Sequence, residues 1–148
     1  MQELILVHVT GNDRPGLTAG LTEVLAGYGV DILDIGQVVI HNFLTLGILV
    51  RIPDGGKSSP VLKDLLFRAH ELGVGLKLHP LSLRTYERWV RSQGKRRHIV
   101  TLLGRTITSV QIARIARVLA QNGLNIETIH RLSGRIPLDG DHPRRACV

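Results

Sequence analysis

A short loop near the start of the chain holds the residues whose types and spacing could bind a small charged molecule. Its sequence is Gly11-Asn12-Asp13-Arg14-Pro15-Gly16, with an apolar run before it and an amphipathic pattern from Leu17 onward. Glycine permits a sharp turn, and proline suits the first position of a helix. The N–H groups that begin a helix have no partner within it and carry the positive end of its dipole, so they can hold a carboxylate. The pattern is compatible with a carboxylate-binding loop, but spacing alone favours a plain strand-to-helix connection.

Catalytic and metal-binding patterns are weak by comparison. The seven histidines show no metal-ligand spacing. Asp139-Gly140-Asp141 has the paired aspartates of some phosphatases, but no apolar strand leads into it. Gly56-Lys57-Ser58 has Arg51 where a phosphate-binding loop needs its first glycine. We therefore expect no catalytic residue, metal or cofactor in this chain.

Composition narrows the class of protein. The 148 residues are 43% hydrophobic, enough for one domain or two small ones, and only 3% aromatic, which argues against stacking of nucleic-acid bases. The single cysteine, Cys147, allows no internal disulfide, and no apolar run reaches the ~18 residues of a membrane span. These features predict a soluble cytoplasmic protein with no membrane partner, and they argue against a nucleic-acid partner.

The pattern of the first 83 residues predicts six secondary-structure elements. Apolar patterns predict strands over 3–10, 30–40, 44–52 and 74–83, with helices over 17–28 and from Ser58 or Ser59 to Leu72. The order βαββαβ over about 80 residues is the ferredoxin-like arrangement of the α+β class. Because two helices cover only one face of such a sheet, we expect its other face or its edges to bind a partner.

Residues 84–97 form a basic segment that we interpret as a helical linker. Arg84, Arg88 and Arg91 would share one helical face. That face could be a phosphate-binding strip or a solvated spacer.

The opening pattern returns after the linker. Val24-Leu25-Ala26, Gly29 and Asp31-Ile32 recur 94 residues later as Val118-Leu119-Ala120, Gly123 and Asn125-Ile126. We predict a second domain over 98–148, with strands at 98–103 and 125–132, a loop from Gly104 and a helix between. No third strand follows in 137–148, so this copy is truncated or is completed by another chain.

The motifs of both copies resemble the ACT domain, an amino-acid-binding regulatory module. The loop Gly11 to Thr18 followed by Gly29-Val30-Asp31-Ile32 carries the likeness. The tandem, with Gln37-Val38-Val39-Ile40 and Leu103-Gly104-Arg105, is similar to the amino-terminal half of bacterial phosphoserine phosphatases. That resemblance implies regulation and dimerisation through bound L-serine, with Mg²⁺ needed only by a haloacid-dehalogenase-type catalytic domain absent from this chain.

The resemblance also implies a set of ligand-binding positions. The strand starts would face the loops across an interface, and the second loop departs from the pattern with Thr108-Ser109 in place of Pro15-Gly16. Two alternatives stay open: an ACT-containing nucleic-acid-binding regulator, and a module for assembly only. The implied ligand positions are Gly11, Asn12, Asp13, Gly16, Leu17, Asp31, Ile32, Gly104, Asn125 and Ile126.

Overall fold

The computed structural model describes residues 3–53, 58–133 and 146–147, and it divides the chain into two units, residues 1–95 and 96–148. The elements of the first unit are β1 (Glu3–Asn12), α1 (Leu17–Gly27), β2 (Asp31–Ile40), β3 (Phe43–Ile52), α2 (Ser58–Glu71), β4 (Gly75–Leu81) and α3 (Leu83–Ser92). The second unit contains β5 (Leu103–Gly104), α4 (Ser109–Gln121) and β6 (Ala146–Cys147). No helix in the described ranges has the length and apolar character needed to cross a bilayer.

The sheet of the first unit confirms the predicted α+β, ferredoxin-like fold. Its four strands lie in the order β2-β3-β1-β4, and every neighbouring pair is antiparallel. β1 and β2 do not bond to each other, because β3 lies between them. The chain crosses over through α1 to reach β2 and through α2 to reach β4, which leaves β2 and β4 as the two edges.

Alternation along the strands builds the core of the first unit. Inward-facing side chains of β1 and β3 meet one apolar stripe from each of α1 and α2, as the period of two in strands and of 3.6 in helices requires. This arrangement fixes the end of β1 and the start of α1 relative to the sheet. The core side chains are Ile5, Val7, Val9, Leu21, Leu25, Leu44, Leu46, Ile48, Val50, Ile52, Val61, Leu65 and Ala69.

The predicted linker helix is present as α3. The hydroxyl of Ser82 accepts a hydrogen bond from the Thr85 N–H at 3.2 Å and caps the helix start. Tyr86 and Trp89 contact each other with ring centroids 5.9 Å apart. The predicted boundaries, 1–83, 84–97 and 98–148, stay a prediction.

The strands predicted for the second unit are wrong. Residues 98–102 and 125–132 are irregular, and only Leu103–Gly104 forms a short ladder, with Ala146–Cys147. In the first unit both β1 and β2 bond to β3, whereas the described residues of the second unit contain no counterpart of β3. The apolar pattern is typical of strands, but the described residues contain no partner strand for it beyond that short ladder.

Candidate ligand-binding loop

The predicted loop lies where β1 ends and α1 begins. Gly16 stands immediately before the helix with φ of 89°, in the left-handed region that favours glycine. Gly11 lies within β1 opposite Leu44, and a Cβ added to it would be 2.8 Å from Cγ1 of Val74. Gly16 is therefore needed for the turn, whereas Gly11 is needed for close packing against the residue that precedes β4.

Three hydrogen bonds from the loop and the first turn of α1 fix this region to other elements. The Asp13 N–H donates to the carbonyl of Asn42 at 2.7 Å, and Arg14 Nη2 donates to the carbonyl of Leu72 at 2.6 Å. The Thr18 hydroxyl donates to Oε1 of Gln37, in β2, at 2.7 Å. The loop is thus held against the β2–β3 turn and the end of α2. Sequence reasoning missed all three contacts, because each joins residues distant in the chain.

The start of α1 offers backbone donors without a side-chain cap. Gly16 has no side chain to accept a hydrogen bond from the first turn, and none of the described residues caps it. Leu17 is 1% exposed and belongs to the buried residues of α1, so the accessible backbone of the first turn is that of Thr18 and Ala19. The first N–H groups of α1 can therefore receive a carboxylate.

Polar side chains lie beside these donors. Asn12 and Asp13 are exposed at the end of β1 and the start of the loop. A carboxylate and an amide oxygen can both accept hydrogen bonds from an ammonium group. The loop therefore combines partners for the two charged groups of a free amino acid.

Asp31 and Ile32 do not join this loop within the first unit. Gly11 pairs with Leu44, whereas Asp31 pairs with Arg51, so at about 3.4 Å per residue along β3 the two positions are about 24 Å apart. Arg51 Nε donates to Oδ2 of Asp31 at 3.0 Å in a partly exposed ion pair. Any contact of Asp31 with a ligand-binding loop requires a loop other than its own.

The second loop is built differently. Thr108 caps α4: its hydroxyl accepts from the Gln111 N–H at 3.4 Å, while Oε1 of Gln111 accepts from the Thr108 N–H at 2.9 Å. This capping box occupies donors that are free of a side-chain cap in α1. A Cβ on Gly104 would be 3.1 Å from the carbonyl oxygen of Thr106, which explains that glycine by local packing.

The remaining predicted ligand positions lie outside the helices and strands of the second unit. Asn125 and Ile126 follow α4 in an irregular, exposed segment. The rejected Asp139-Gly140-Asp141 motif lies outside the described residues. In the described part of the chain, no group of His, Cys, Asp and Glu side chains is arranged to hold a metal ion.

Two protein-family models match the chain, one in each unit. An ACT domain model matches residues 3–79, and a second ACT domain model matches residues 96–140. The first match covers β1 through most of β4 and includes the complete loop between β1 and α1. The second covers the loop at Gly104 and all of α4.

Curated relatives extend the comparison. The chain is 36% identical over 130 residues to phosphoserine phosphatase SerB2 of Mycobacterium tuberculosis, which covers 87% of this chain and 31% of that protein. It is 38% identical over 129 residues to a phosphoserine phosphatase of Streptomyces coelicolor, covering 87% and 30%. A UPF0237 protein of Pyrobaculum aerophilum is 33% identical over 85 residues, covering 57% of this chain and 94% of that protein. The chain thus spans under a third of the two phosphatases.

A solved structure supports the fold at low sequence identity. An unknown protein from Galdieria sulphuraria superposes with a TM-score of 0.61 at 15% identity, covering 100% of this chain and 83% of that one.

Proposed function

Because this chain belongs to the ACT domain family, which matches over half of its length, we propose that it is the amino-acid-binding regulatory part of a phosphoserine phosphatase of serine biosynthesis. The observation that carries the proposal is the identity of 36% and 38% to two phosphoserine phosphatases, each over 87% of this chain. The phosphatase activity itself is assigned to a segment outside this sequence. The role of this chain is to bind the ligand and to couple that binding to the activity of the catalytic segment.

The ligand is L-serine, bound at the loop between β1 and α1. Its carboxylate would accept hydrogen bonds from the first N–H groups of α1, which no side chain caps. Its ammonium group would donate to Asn12 or Asp13, both exposed beside the helix start. Serine would also be the product of the reaction named in the two relatives, which makes it a suitable feedback signal.

A second copy of the chain would complete the site. The loop is exposed from Asn12 to Gly16, and Asp31-Ile32 of the same unit lies at the far end of the sheet. We assign the facing strand start, Asp31-Ile32 or Asn125-Ile126, to the partner copy. Binding and dimerisation would then be coupled.

Titration calorimetry with serine, glycine, alanine and threonine tests the ligand. Serine should release or absorb heat with a dissociation constant on the order of micromolar to millimolar, because a ligand of about seven heavy atoms makes few contacts. Heat from another amino acid without heat from serine would contradict the serine assignment. If none of the four amino acids produced heat, only the role in assembly would remain.

A matched pair of glycine variants separates a ligand site from a structural turn. Gly16 and Gly29 both have positive φ, and a Cβ at either position meets no atom within 4 Å. Gly16→Val and Gly29→Val should therefore cost similar backbone strain, about 1–3 kcal/mol. Only Gly16→Val should lose serine binding, since only its side chain blocks the start of α1. Equal loss in both variants would show that strain alone is responsible.

The alternative, a nucleic-acid-binding regulator, is favoured by one observation. Arg84, Arg88 and Arg91 lie on one face of α3, and all three are exposed. A duplex DNA probe would discriminate the two functions. Binding whose affinity falls steeply with salt would favour the alternative, and heat from serine that is insensitive to salt would favour the regulatory module.

A further inference from the structure

Helix α2 carries two apolar stripes, although one is enough to hold it on the sheet. Val61, Leu65 and Ala69 are buried in the core of the first unit. Leu66 and Phe67 point away from that core, with 49% and 59% of their surfaces exposed. Large apolar side chains that are next to each other on a helix surface and exposed together are typical of a surface that binds a partner.

This second stripe lines an open groove beside β4. The groove has a volume of about 640 Å³, and Leu62, Leu66, Phe67 and Leu78 form its apolar floor and wall. Ser59, Lys63 and His70 complete its lining. The lining residues of α2 recur at three- and four-residue steps, so they form a straight row along the helix. A row of that kind matches the packing of a second helix.

The edge strand beside the groove disfavours an added strand. β4 contains Pro80, which has no N–H to donate, and Lys77, a charged residue of the type that protects sheet edges. A partner that lay along β4 would lose part of the ladder of hydrogen bonds. The groove therefore suits a helix packed against α2 better than a strand paired with β4.

The lining of the groove contains a lysine, Lys63, and no carboxylate. Lys63 Nζ lies 5.7 Å from the centre of the Phe67 ring. The two acidic side chains of α2 already have partners: Asp64 accepts a hydrogen bond from the Tyr28 hydroxyl, and Glu71 is paired with Arg68 at 3.0 Å. In a symmetric contact between two α2 helices, Lys63 would face a lining that offers no carboxylate. A partner with carboxylates would compensate this charge.

We propose that the groove between α2 and β4 binds an acidic amphipathic helix of a partner protein segment. Two or three aliphatic side chains, one turn apart, would fill the space above Leu62, Leu66 and Phe67. Carboxylates on the flank of that helix would pair with Lys63. This surface is separate from the loop between β1 and α1, and the inference does not depend on the identity of the amino acid bound there.

Two designed peptides test the inference on the full chain. Each has about 18 residues, long enough for a helix to form on binding, with leucines at successive turns and alanines elsewhere. One carries glutamate on its flanks and the other carries lysine. We expect the glutamate peptide to shift amide resonances of α2 and β4 in ¹⁵N-labelled protein, and the lysine peptide to shift them less.

Reversal of the charge at Lys63 is the decisive test of the preference for an acidic helix. Lys63→Glu should weaken binding of the glutamate peptide and strengthen binding of the lysine peptide, each by about threefold, as expected for a solvent-exposed ion pair. Phe67→Glu should abolish binding of the glutamate peptide. Val118→Glu is the matched control, because Val118 is also an exposed apolar residue of a helix, with 57% of its surface accessible, and it lies on α4; this variant should bind normally.

Three results would overturn the inference. They are shifts that do not map to α2 and β4, an unchanged peptide preference in Lys63→Glu, and equal loss of binding in Phe67→Glu and Val118→Glu. Self-association of the chain that Phe67→Glu removes would assign the groove to a second copy instead.

Discussion

At the scale of single residues, Gly11 and Gly16 of the loop are glycines for different physical reasons. Gly16 adopts a positive φ immediately before α1, in open surroundings. Gly11 has ordinary strand geometry, but Val74 approaches it so closely that a side chain would collide. The motif seen in the sequence therefore combines a turn requirement with a packing requirement, and only Gly16 stands where a ligand would approach the helix.

Replacing Gly11 by alanine should destabilise the protein by about 1–3 kcal/mol, because the new methyl group would overpack against Val74. Gly36→Ala is the control, since a Cβ there meets no atom within 4 Å and its φ is not in the left-handed region. Urea unfolding monitored by far-UV circular dichroism would measure both. A Gly11→Ala protein as stable as the control would show that Val74 moves aside at little cost.

Residue-level prediction succeeded where the signal is local. The loop could be recognised because glycine, proline and a helix pattern lie next to one another. The ion pair between Asp31 and Arg51 could not, because it joins neighbouring strands and depends on their register. The same is true of the hydrogen bond from Arg14 to the carbonyl of Leu72, 58 residues away in the chain.

At the scale of elements, the accuracy of prediction depended on whether each element had a partner. The predicted elements of the first unit are present to within a few residues, because both helices and all four strands complete one core. In the second unit α4 formed as predicted, since a helix makes its backbone hydrogen bonds internally. The two predicted strands did not, because a strand needs another strand and the described residues supply only the short ladder at Leu103–Gly104.

The contact between α1 and α2 includes a hydrogen bond whose contribution to stability can be tested by varying the pH. The Tyr28 hydroxyl donates to Oδ2 of Asp64 at 2.5 Å, and this hydrogen bond to the carboxylate raises the pKa of Tyr28 above its ordinary value. The folded protein therefore keeps the phenolic proton at a pH where the unfolded chain has lost it. The stabilisation is complete below about pH 10 and falls as pH rises through the pKa of the folded state.

Tyr28→Phe should accordingly lower the free energy of unfolding at neutral pH, and the difference from the wild type should shrink above about pH 10. Tyr86→Phe, which removes the hydroxyl of the other tyrosine in the chain, is the control for the loss of a phenol group. Denaturant unfolding at a series of pH values would measure all three proteins. A difference that stays constant across the alkaline range would show that the Tyr28–Asp64 bond does not contribute.

At the scale of the whole molecule, the two edges of the sheet differ in how well they are protected. The β4 edge carries Lys77 and Pro80. Along β2, Ile35 and Val38 are about half exposed, and the segment from Ile35 to Ile40 contains no charge and no proline. An exposed apolar edge of this kind is available for pairing with another strand, whereas lysine and proline oppose it.

We expect the chain to form a dimer through β2, because pairing of two such edges would satisfy the free backbone groups and bury the apolar side chains of both copies. Light scattering at tens of micromolar protein should give twice the monomer mass of 16.3 kDa. Ile35→Glu combined with Val38→Glu should reduce it to the monomer mass, since the charges would lie in the contact. Phe67→Glu, at an equally exposed position on α2, should remain dimeric. A monomeric wild type would refute the dimer, while dissociation by Phe67→Glu alone would move the contact from β2 to the groove on α2.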